Sequence, residues 1–261
     1  MALAGDPGGS GWTWRPVARD ALLARAFHSC TELRGRFYLV GGLPAGGETA
    51  PSDDTVVFDP VAGQAVRLAA RGGPKTQLRP ERPHIRSYKE EACHTASRSG
   101  HSAALLRTPG PRPGHQLVLF GGCTSADPEV AGHWGHGKLK EEPPAAPHLM
   151  AQLARLVGTG QGSQQGPRGL RHHSCSVVGP FAVLFGGETL TRGRDTVCND
   201  LYIYDIRGSP PLWFRFPCAD PGLKRVGHRT CLWNDQLYLV GGFGADGRTP
   251  SPQVCILDLF I

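Results

Sequence analysis

The run Phe37-Tyr38-Leu39-Val40-Gly41-Gly42 is one of four short apolar runs in this chain that end in a glycine pair. A unit that recurs in this way along 261 residues predicts a repeat architecture, in which each unit forms one supersecondary element. Such a chain favours a binding surface assembled from repeated loops over a single catalytic cleft. The other three runs are Leu117-Val118-Leu119-Phe120-Gly121-Gly122, Val183-Leu184-Phe185-Gly186-Gly187 and Leu237-Tyr238-Leu239-Val240-Gly241-Gly242.

Each glycine pair follows a histidine, and three of the four pairs precede a second run rich in β-branched and aromatic residues, which indicates strands. Every repeat therefore predicts a strand a around the histidine, a strand b that ends in Gly-Gly, a strand c that ends in aspartate and a short strand d. Three of the histidines stand in an R-x-x-H pattern. The histidines are His28, His101, His173 and His228, the runs of strand c end at Asp59, Asp205 and Asp258, and Trp213 marks strand d of the third repeat.

The glycine pair has a physical explanation in a radial arrangement of sheets. We expect strand b to lie innermost, where neighbouring sheets crowd the axis. Glycine permits a close backbone approach there, and it permits the positive φ with which the chain leaves the strand.

These features resemble the kelch repeat, over about residues 12–71 and 98–261. The resemblance implies an all-β fold, a kelch-type β-propeller of four-stranded blades. Kelch propellers commonly have six blades, whereas four are recognisable here, so we expect an incomplete or open ring that lacks two blades. The blades are expected at about residues 25–70, 98–122, 170–217 and 225–261, the last completed by residues 12–17, with an irregular segment at 71–97 and a disordered tail at 1–11.

The segment 123–169 differs in kind from the repeats. Within it, residues 147–157 predict a short amphipathic helix, which either caps the propeller or docks a partner. Residues 158–166 (GTGQGSQQG) have the composition of a flexible linker. The apolar residues at helical spacing are Leu149, Met150, Leu153, Leu156 and Val157.

The resemblance implies a non-enzymatic protein-interaction module. In kelch propellers the loops from strand d to a and from b to c share one face, and arginines fall in these loops. Guanidinium groups suit carboxylates and phosphates, so we expect an acidic peptide or phosphopeptide as partner; the alternative is that the R-x-x-H arginines are structural. A second hypothesis is a substrate-recognition subunit of a ubiquitin ligase that acts through a separate adaptor. The candidate partner-binding residues are Arg98, Arg171, Arg192, Arg194, Arg225 and Arg248.

Other chemistry finds little support in the sequence. The G-x-G-x-x-G match at Gly242, Gly244 and Gly247 is followed by Pro250 and Pro252, which prevent the helix that a dinucleotide site needs. His133, His136, His172 and His173 lack a zinc motif. No G-x-S-x-G elbow is present. We therefore expect no cofactor, no metal and no enzymatic activity.

Composition is consistent with this interpretation. The net charge of +6 arises from basic residues that are scattered and lack interleaved aromatic residues, so nucleic-acid binding is not expected. The eight cysteines form no C-x-x-C pair, and Cys30 and Cys175 occupy the same place in different repeats, too far apart to bridge. With no signal-like start and no long apolar stretch, the sequence predicts a cytoplasmic or nuclear protein with reduced thiols and no membrane span.

Overall fold

The computed structural model describes residues 11–45, 52, 54–68, 102–108, 114–120, 134–136, 146–167, 169–191 and 194–260. These residues form antiparallel sheets and one α-helix, α1 (Pro147–Thr159), with short 3₁₀ turns at Ala21–Leu23 and Pro221–Leu223. None of the helices among them has the length and hydropathy that a membrane crossing requires. The strands, in chain order, are β1 (Trp12–Arg19), β2 (Arg25–Ala26), β3 (Ser29–Leu33), β4 (Arg36–Val40), β5 (Leu43–Pro44), β6 (Thr55–Asp59), β7 (Gln64–Arg67), β8 (Ser102–Thr108), β9 (Gly114–Phe120), β10 (Trp134–His136), β11 (Ser174–Val178), β12 (Phe181–Phe185), β13 (Glu188–Thr191), β14 (Arg194–Val197), β15 (Leu201–Asp205), β16 (Leu212–Phe216), β17 (Arg229–Trp233), β18 (Gln236–Val240) and β19 (Gln253–Leu259).

Four sheets correspond to the four repeats. Sheet one has the order β3-β4-β6-β7, sheet two β8-β9-β10, sheet three β11-β12-β15-β16 and sheet four β17-β18-β19-β1. The predicted strand order a-b-c-d is therefore confirmed in sheets one and three, which are built from consecutive antiparallel strands. In sheet four the outer position is taken by β1, in which Trp12 lies opposite Leu259 and Trp14 opposite Leu257.

The first strand of each sheet lies closest to the axis. Neighbouring sheets contact one another through these strands, β8 with β11, β11 with β17, and β17 with β3. The expectation that strand b is innermost is therefore wrong, since strand b lies second in every sheet. Among the described strands, β3 and β8 do not contact each other in the same way. The described sheets therefore do not close into a ring, as expected for an incomplete propeller.

The segment 123–169 contributes a strand as well as a helix. The predicted helix is confirmed and extends to Thr159, and β10 pairs with β9 as the third strand of sheet two. The repeat pattern predicts a strand c here but not its position, because β10 is only three residues long and stands among glycines. A strand that short carries no alternation from which it could be recognised.

Helix α1 packs into the core between sheets three and four. Leu149, Leu153, Leu156 and Val157 are buried there against aromatic residues of both sheets. Met150, predicted for the same face, is half-exposed and lies against the Gly179 turn. The helix therefore caps the propeller, on the side where strands a and b are joined by turns.

The glycine-rich segment after α1 is ordered along sheet three. Ser163 exchanges two backbone hydrogen bonds with Trp213, of 2.7 and 2.8 Å. A Cβ on Gly162 would lie 2.9 Å from Leu212 and one on Gly166 2.6 Å from Trp213, so both would clash with β16, while a Cβ on Gly160 would lie 3.0 Å from Phe216. The expected flexible linker is therefore wrong for this segment, since its glycines allow it to lie flat against Phe214, Phe216 and Trp213.

Candidate functional site

The loop face of the propeller begins at the residue before each repeated histidine. Phe27, His172 and Gly227 occupy this position in sheets one, three and four, and all have positive φ values of 57°, 55° and 68°. The Phe27 N–H donates to the Gly227 carbonyl at 2.7 Å, and the Gly227 N–H donates to the His172 carbonyl at 3.0 Å. We call this hydrogen-bonded chain of three residues at the end of the axis the axial mouth.

Aromatic rings cover the axial mouth. The Phe27 ring lies edge-on to His172, with 5.1 Å between centroids, and edge-on to Phe243, with 5.7 Å. It rests on the backbone of Gly227, where an added Cβ would lie 2.8 Å from Phe27 Cε1. The Phe27 residue nevertheless remains 39% exposed. Phenylalanine at positive φ is strained, and such strain clusters at binding sites.

A charged cluster borders the rings on the sheet-three side. Glu188 Oε1 lies 2.8 Å from His172 Nδ1 and 3.1 Å from Arg171 Nε. The hydrogen bond from His172, and then the positive charge of Arg171, lower the pKa of Glu188. Glu188 opens the ribbon β13–β14, which forms the loop from strand b to c in this sheet. The cluster therefore fixes the orientation of His172 beside Phe27.

The arginines predicted to bind a partner do not form one continuous surface. Arg225 is only 5% exposed; its Nη1 donates to the Gly241 carbonyl at 3.2 Å, and burial lowers its pKa. A partner cannot reach it, so its assignment as a binding residue is wrong and the structural alternative holds. Arg171 is paired with Glu188, Arg248 is exposed at the tip of the loop after β18, and Arg194 lies opposite Thr191 in the β13–β14 ribbon. Arg98 and Arg192 lie outside the described residues.

The repeated histidines are internal. His28, His173 and His228 are almost completely buried. Burial, with smaller contributions from Arg229 and Arg25, lowers the pKa of His28 to about 3, and burial also lowers the pKa of His228. The His28 and His228 rings are therefore neutral at pH 7, and His228 Nε2 lies 2.9 Å from Ser174 Oγ of sheet three. His101 lies outside the described residues.

The glycine pairs of sheets three and four each join their sheet to the next one. The second glycine donates its N–H to the arginine carbonyl of the following sheet, Gly187 to Arg225 and Gly242 to Arg25, each at 2.7 Å. The first glycine lies against the next histidine. A Cβ on Gly186 would lie 2.8 Å from His228 Cε1, and one on Gly241 would lie 2.7 Å from His28 Cε1. We refer to the interface between sheets three and four as the 3/4 joint, and to the interface between sheets four and one as the 4/1 joint.

The remaining motif residues have local positions. Gly41 and Gly42 have positive φ like the other pairs, whereas Gly121 and Gly122 lie outside the described residues. Trp213 packs against Tyr204 of the neighbouring strand, with 4.7 Å between ring centroids. In the part of the chain that the structure describes, no three His, Cys, Asp or Glu side chains are grouped for a metal ion.

Sequence reasoning missed Phe27 and Phe243, and it considered His172 only as a metal ligand. A signal was available, because the position before the histidine is Gly100 in the second repeat and Gly227 in the fourth. Glycine occupies this position in two repeats and an aromatic residue occupies it in the other two. Glycine is common where φ is positive, so the aromatic residues at 27 and 172 indicate a strained backbone. That pattern points to the axial mouth.

Comparison with known proteins supports the propeller and its family. No family model matches the chain. Kelch domain-containing protein 9 from Homo sapiens is 61% identical over 347 residues, covering 99% of both chains, and the Mus musculus protein of that name is 58% identical, covering 97% of both. Tip elongation aberrant protein 1 from Schizosaccharomyces pombe is 28% identical over 150 residues, covering 53% of this chain and 12% of that protein.

The alignment with the human protein also bears on the open ring. Its 347 positions exceed the 261 residues of this chain by 86, so the relative carries residues that have no counterpart here. A kelch unit is about 50 residues, so this difference approaches the length of two blades. The absence of two blades at residues 71–97 stays a prediction, since that segment lies outside the described residues. With most of its length shared at this identity, and with the repeats arranged radially, the chain belongs to the kelch-repeat β-propellers, in the family of Kelch domain-containing protein 9.

Proposed function

We propose that this chain is a non-enzymatic protein-interaction module that binds a protein partner through the axial mouth. Membership of the kelch family supports an interaction role. The observation that carries the proposal is Phe27, whose ring stays exposed at the end of the axis while its backbone is held at a φ of 57°. Aromatic residues on rigid supports are frequent anchors of protein interfaces.

The chemistry of the site describes the partner segment. The edges and faces of Phe27, His172 and Phe243 suit an apolar or aromatic side chain of the partner. The loop that carries Phe243 also carries Arg248, whose exposed guanidinium is available to a carboxylate. The partner would therefore be a peptide segment or loop with an apolar anchor next to an acidic residue. The net charge of +6 favours such a partner.

The first experiment identifies partners by proximity labelling in cells and then measures binding of a purified partner to Phe27→Gly. Glycine adopts a φ of 57° without strain, so this change removes the ring without straining the backbone. We expect the loss of an interface anchor to cost about 2 kcal/mol of binding free energy, roughly a 30-fold weaker Kd. The thermal unfolding temperature should not fall.

The control for Phe27→Gly is Phe260→Ala, which removes an exposed phenylalanine from a strand end far from the axial mouth. This variant should bind as the unmodified chain does. Full binding by Phe27→Gly, or equal losses in the two variants, would exclude the axial mouth. Arg248→Glu tests the acidic part separately, because it should weaken binding most at low salt.

A further inference from the structure

Two cysteines meet at the 4/1 joint. Cys30 of β3 and Cys231 of β17 have their Sγ atoms 3.1 Å apart, although 201 residues separate them in the chain. Both are free thiols, Cys231 buried and Cys30 half-buried. The two strands are the innermost strands of sheets one and four. The thiols therefore span the contact between the first and the last sheet.

The matching place in the 3/4 joint holds hydroxyl groups. Ser176 Oγ of β11 lies 2.7 Å from Thr230 Oγ1 of β17. The registers are the same, because Cys30 and Thr230 stand opposite Leu39 and Leu239 on strand b. A hydroxyl pair forms a good hydrogen bond, whereas a thiol is a weak donor and a weak acceptor. The thiol pair of the 4/1 joint therefore forms a weaker hydrogen bond than the hydroxyl pair of the 3/4 joint.

A small oxidant can reach the pair. A cavity of about 400 Å³ opens beside them along the axis, lined by residues of β3, β11 and β17 that include Thr31, Glu32 and Ser176. The hydrogen bond with Cys231, together with burial, raises the pKa of the Cys30 thiol, and the nearby Arg229 lowers it. The Cys30 thiol is therefore protonated at neutral pH, so we expect the pair to respond to sustained exposure to the oxidant rather than to a brief pulse.

We propose that Cys30 and Cys231 form a redox modification site, at which a peroxide converts the two thiols into a disulfide that joins sheets one and four. The sulfur of one cysteine, after losing its proton, attacks the O–O bond of hydrogen peroxide and becomes a sulfenic acid, and one water forms. The sulfur of the second cysteine attacks that sulfenic sulfur, the S–S bond forms, and the hydroxyl leaves with the second proton as water. Two thiols and one peroxide thus give one disulfide and two waters.

The geometry requires only a small movement. The Sγ atoms need to approach by about 1 Å to reach the S–S bond length. The bond would close a loop of 201 residues and would constrain the unfolded chain accordingly. Oxidation should therefore stabilise the open ring at the joint between its first and last sheets.

The test uses the full chain. The reduced protein is incubated with hydrogen peroxide, remaining thiols are alkylated, and a tryptic digest is analysed without reduction. We expect a linked pair of peptides, residues 26–34 with residues 230–248, and a higher unfolding temperature that reverts with a reducing agent. Cys30→Ser and Cys231→Ser should lose both signals. Cys175→Ser, at the position of Cys30 in sheet three, should keep both.

Two results would overturn the proposal. One is Cys30 and Cys231 recovered as alkylated thiols, or as separate sulfinic acids, while other cysteines are oxidised. The other is a linked peptide pair with no rise in the unfolding temperature. The digest of the unmodified chain decides the chemistry even if a serine variant fails to fold.

Discussion

The 3/4 joint and the 4/1 joint are built from the same backbone contacts but are filled by different side chains. In both joints, the second glycine of the pair donates its N–H to an arginine carbonyl at 2.7 Å, and the first glycine lies against a buried histidine. In the 3/4 joint the wedge between the sheets is filled by α1 together with Trp12 and Trp14. In the 4/1 joint it is filled by rings of the sheets themselves, among them Phe37, Phe58 and Tyr238.

The arginines of the two joints also differ, because one is paired with a carboxylate and the other, within the part of the chain that the structure describes, is not. Arg25 is buried and donates to both carboxylate oxygens of Asp54, at 2.7 and 3.2 Å. Arg225 has Gln253 at the equivalent register, and among the described residues no carboxylate forms an ion pair with it. The repeated residues thus specify how sheets meet, while the filling and the charge balance are specific to each joint. Each of the following variants tests one part of that distinction.

The largest effect is expected from the shared contact. Gly241→Ala should destabilise the protein by about 3 kcal/mol or more, because it combines a φ of 67° with a Cβ only 2.7 Å from His28 Cε1. Gly186→Ala should cost a similar amount in the 3/4 joint. Urea unfolding measures both. Gly247→Ala is the control, since it has the same φ but no atom within 4 Å, and should cost about 1–2 kcal/mol. Equal losses at positions 241 and 247 would refute the crowding argument.

Next in size is Asp54→Asn, which tests the charge balance of Arg25. Leaving a buried guanidinium without its carboxylate should cost about 2–4 kcal/mol at pH 7. Asp200→Asn is the matched control, because Asp200 holds the same register in sheet three but pairs with the largely exposed Arg215. That change should cost about 0–1 kcal/mol. Comparable losses in both variants would contradict the role of burial.

The Asp54 pair also predicts a pH dependence. The hydrogen bonds from Arg25 lower the pKa of Asp54 to about 2, below the value near 3.9 of an unfolded chain. The stabilisation is therefore complete above about pH 4 and is lost as the pH falls toward 2. The difference in unfolding free energy between the unmodified chain and Asp54→Asn should shrink over that range. A constant difference from pH 6 to pH 2 would show that Asp54 acts through packing instead.

The smallest effect is expected from the cap of α1, the helix that fills the 3/4 joint. Asp235 accepts hydrogen bonds from the N–H groups of His148 and Leu149, at 2.9 and 2.7 Å. Asp235→Gly removes this cap without backbone strain, since φ at 235 is 59°, and should cost about 1 kcal/mol. Amide exchange at residues 148 and 149 should accelerate. Asn234→Gly, at a φ of 47°, is the control and should leave exchange in α1 unchanged.

The sequence predicted what repeats and missed what depends on distant partners. The histidines, the apolar runs and the glycine pairs recur in the same order in every repeat, so the strand order followed from them, and the propeller followed from their resemblance to kelch repeats. The helix followed from the spacing of Leu149, Leu153 and Leu156. By contrast, the position of strand a at the axis depends on contacts between repeats, which no single repeat displays. The sequence 158–166 resembles a linker because its glycines are explained only by the rings of β16.

The candidate site shows the same division. The burial of Arg225 could not be read from R-x-x-H, because the pattern is equally compatible with a loop cation and with a structural donor. Phe27, His172 and Phe243 lie in different sheets or loops, and only the hydrogen bonds around the axis bring them together. That this face binds a partner stays a prediction; of the arginines predicted for it, Arg171 lies in the charged cluster beside His172 and Arg248 in the loop that carries Phe243.

The pairing of β1 with β19 has a consequence for biosynthesis. Residues 12–19 are translated more than 230 residues before their hydrogen-bonding partners, residues 253–259. Trp12 and Trp14, which are buried once sheet four is complete, must therefore remain in contact with solvent or a chaperone until β19 has been translated. A nascent chain that stalls before β19 exposes two indoles and the unpaired edge of β18, and these are features that the cell's quality-control machinery can recognise.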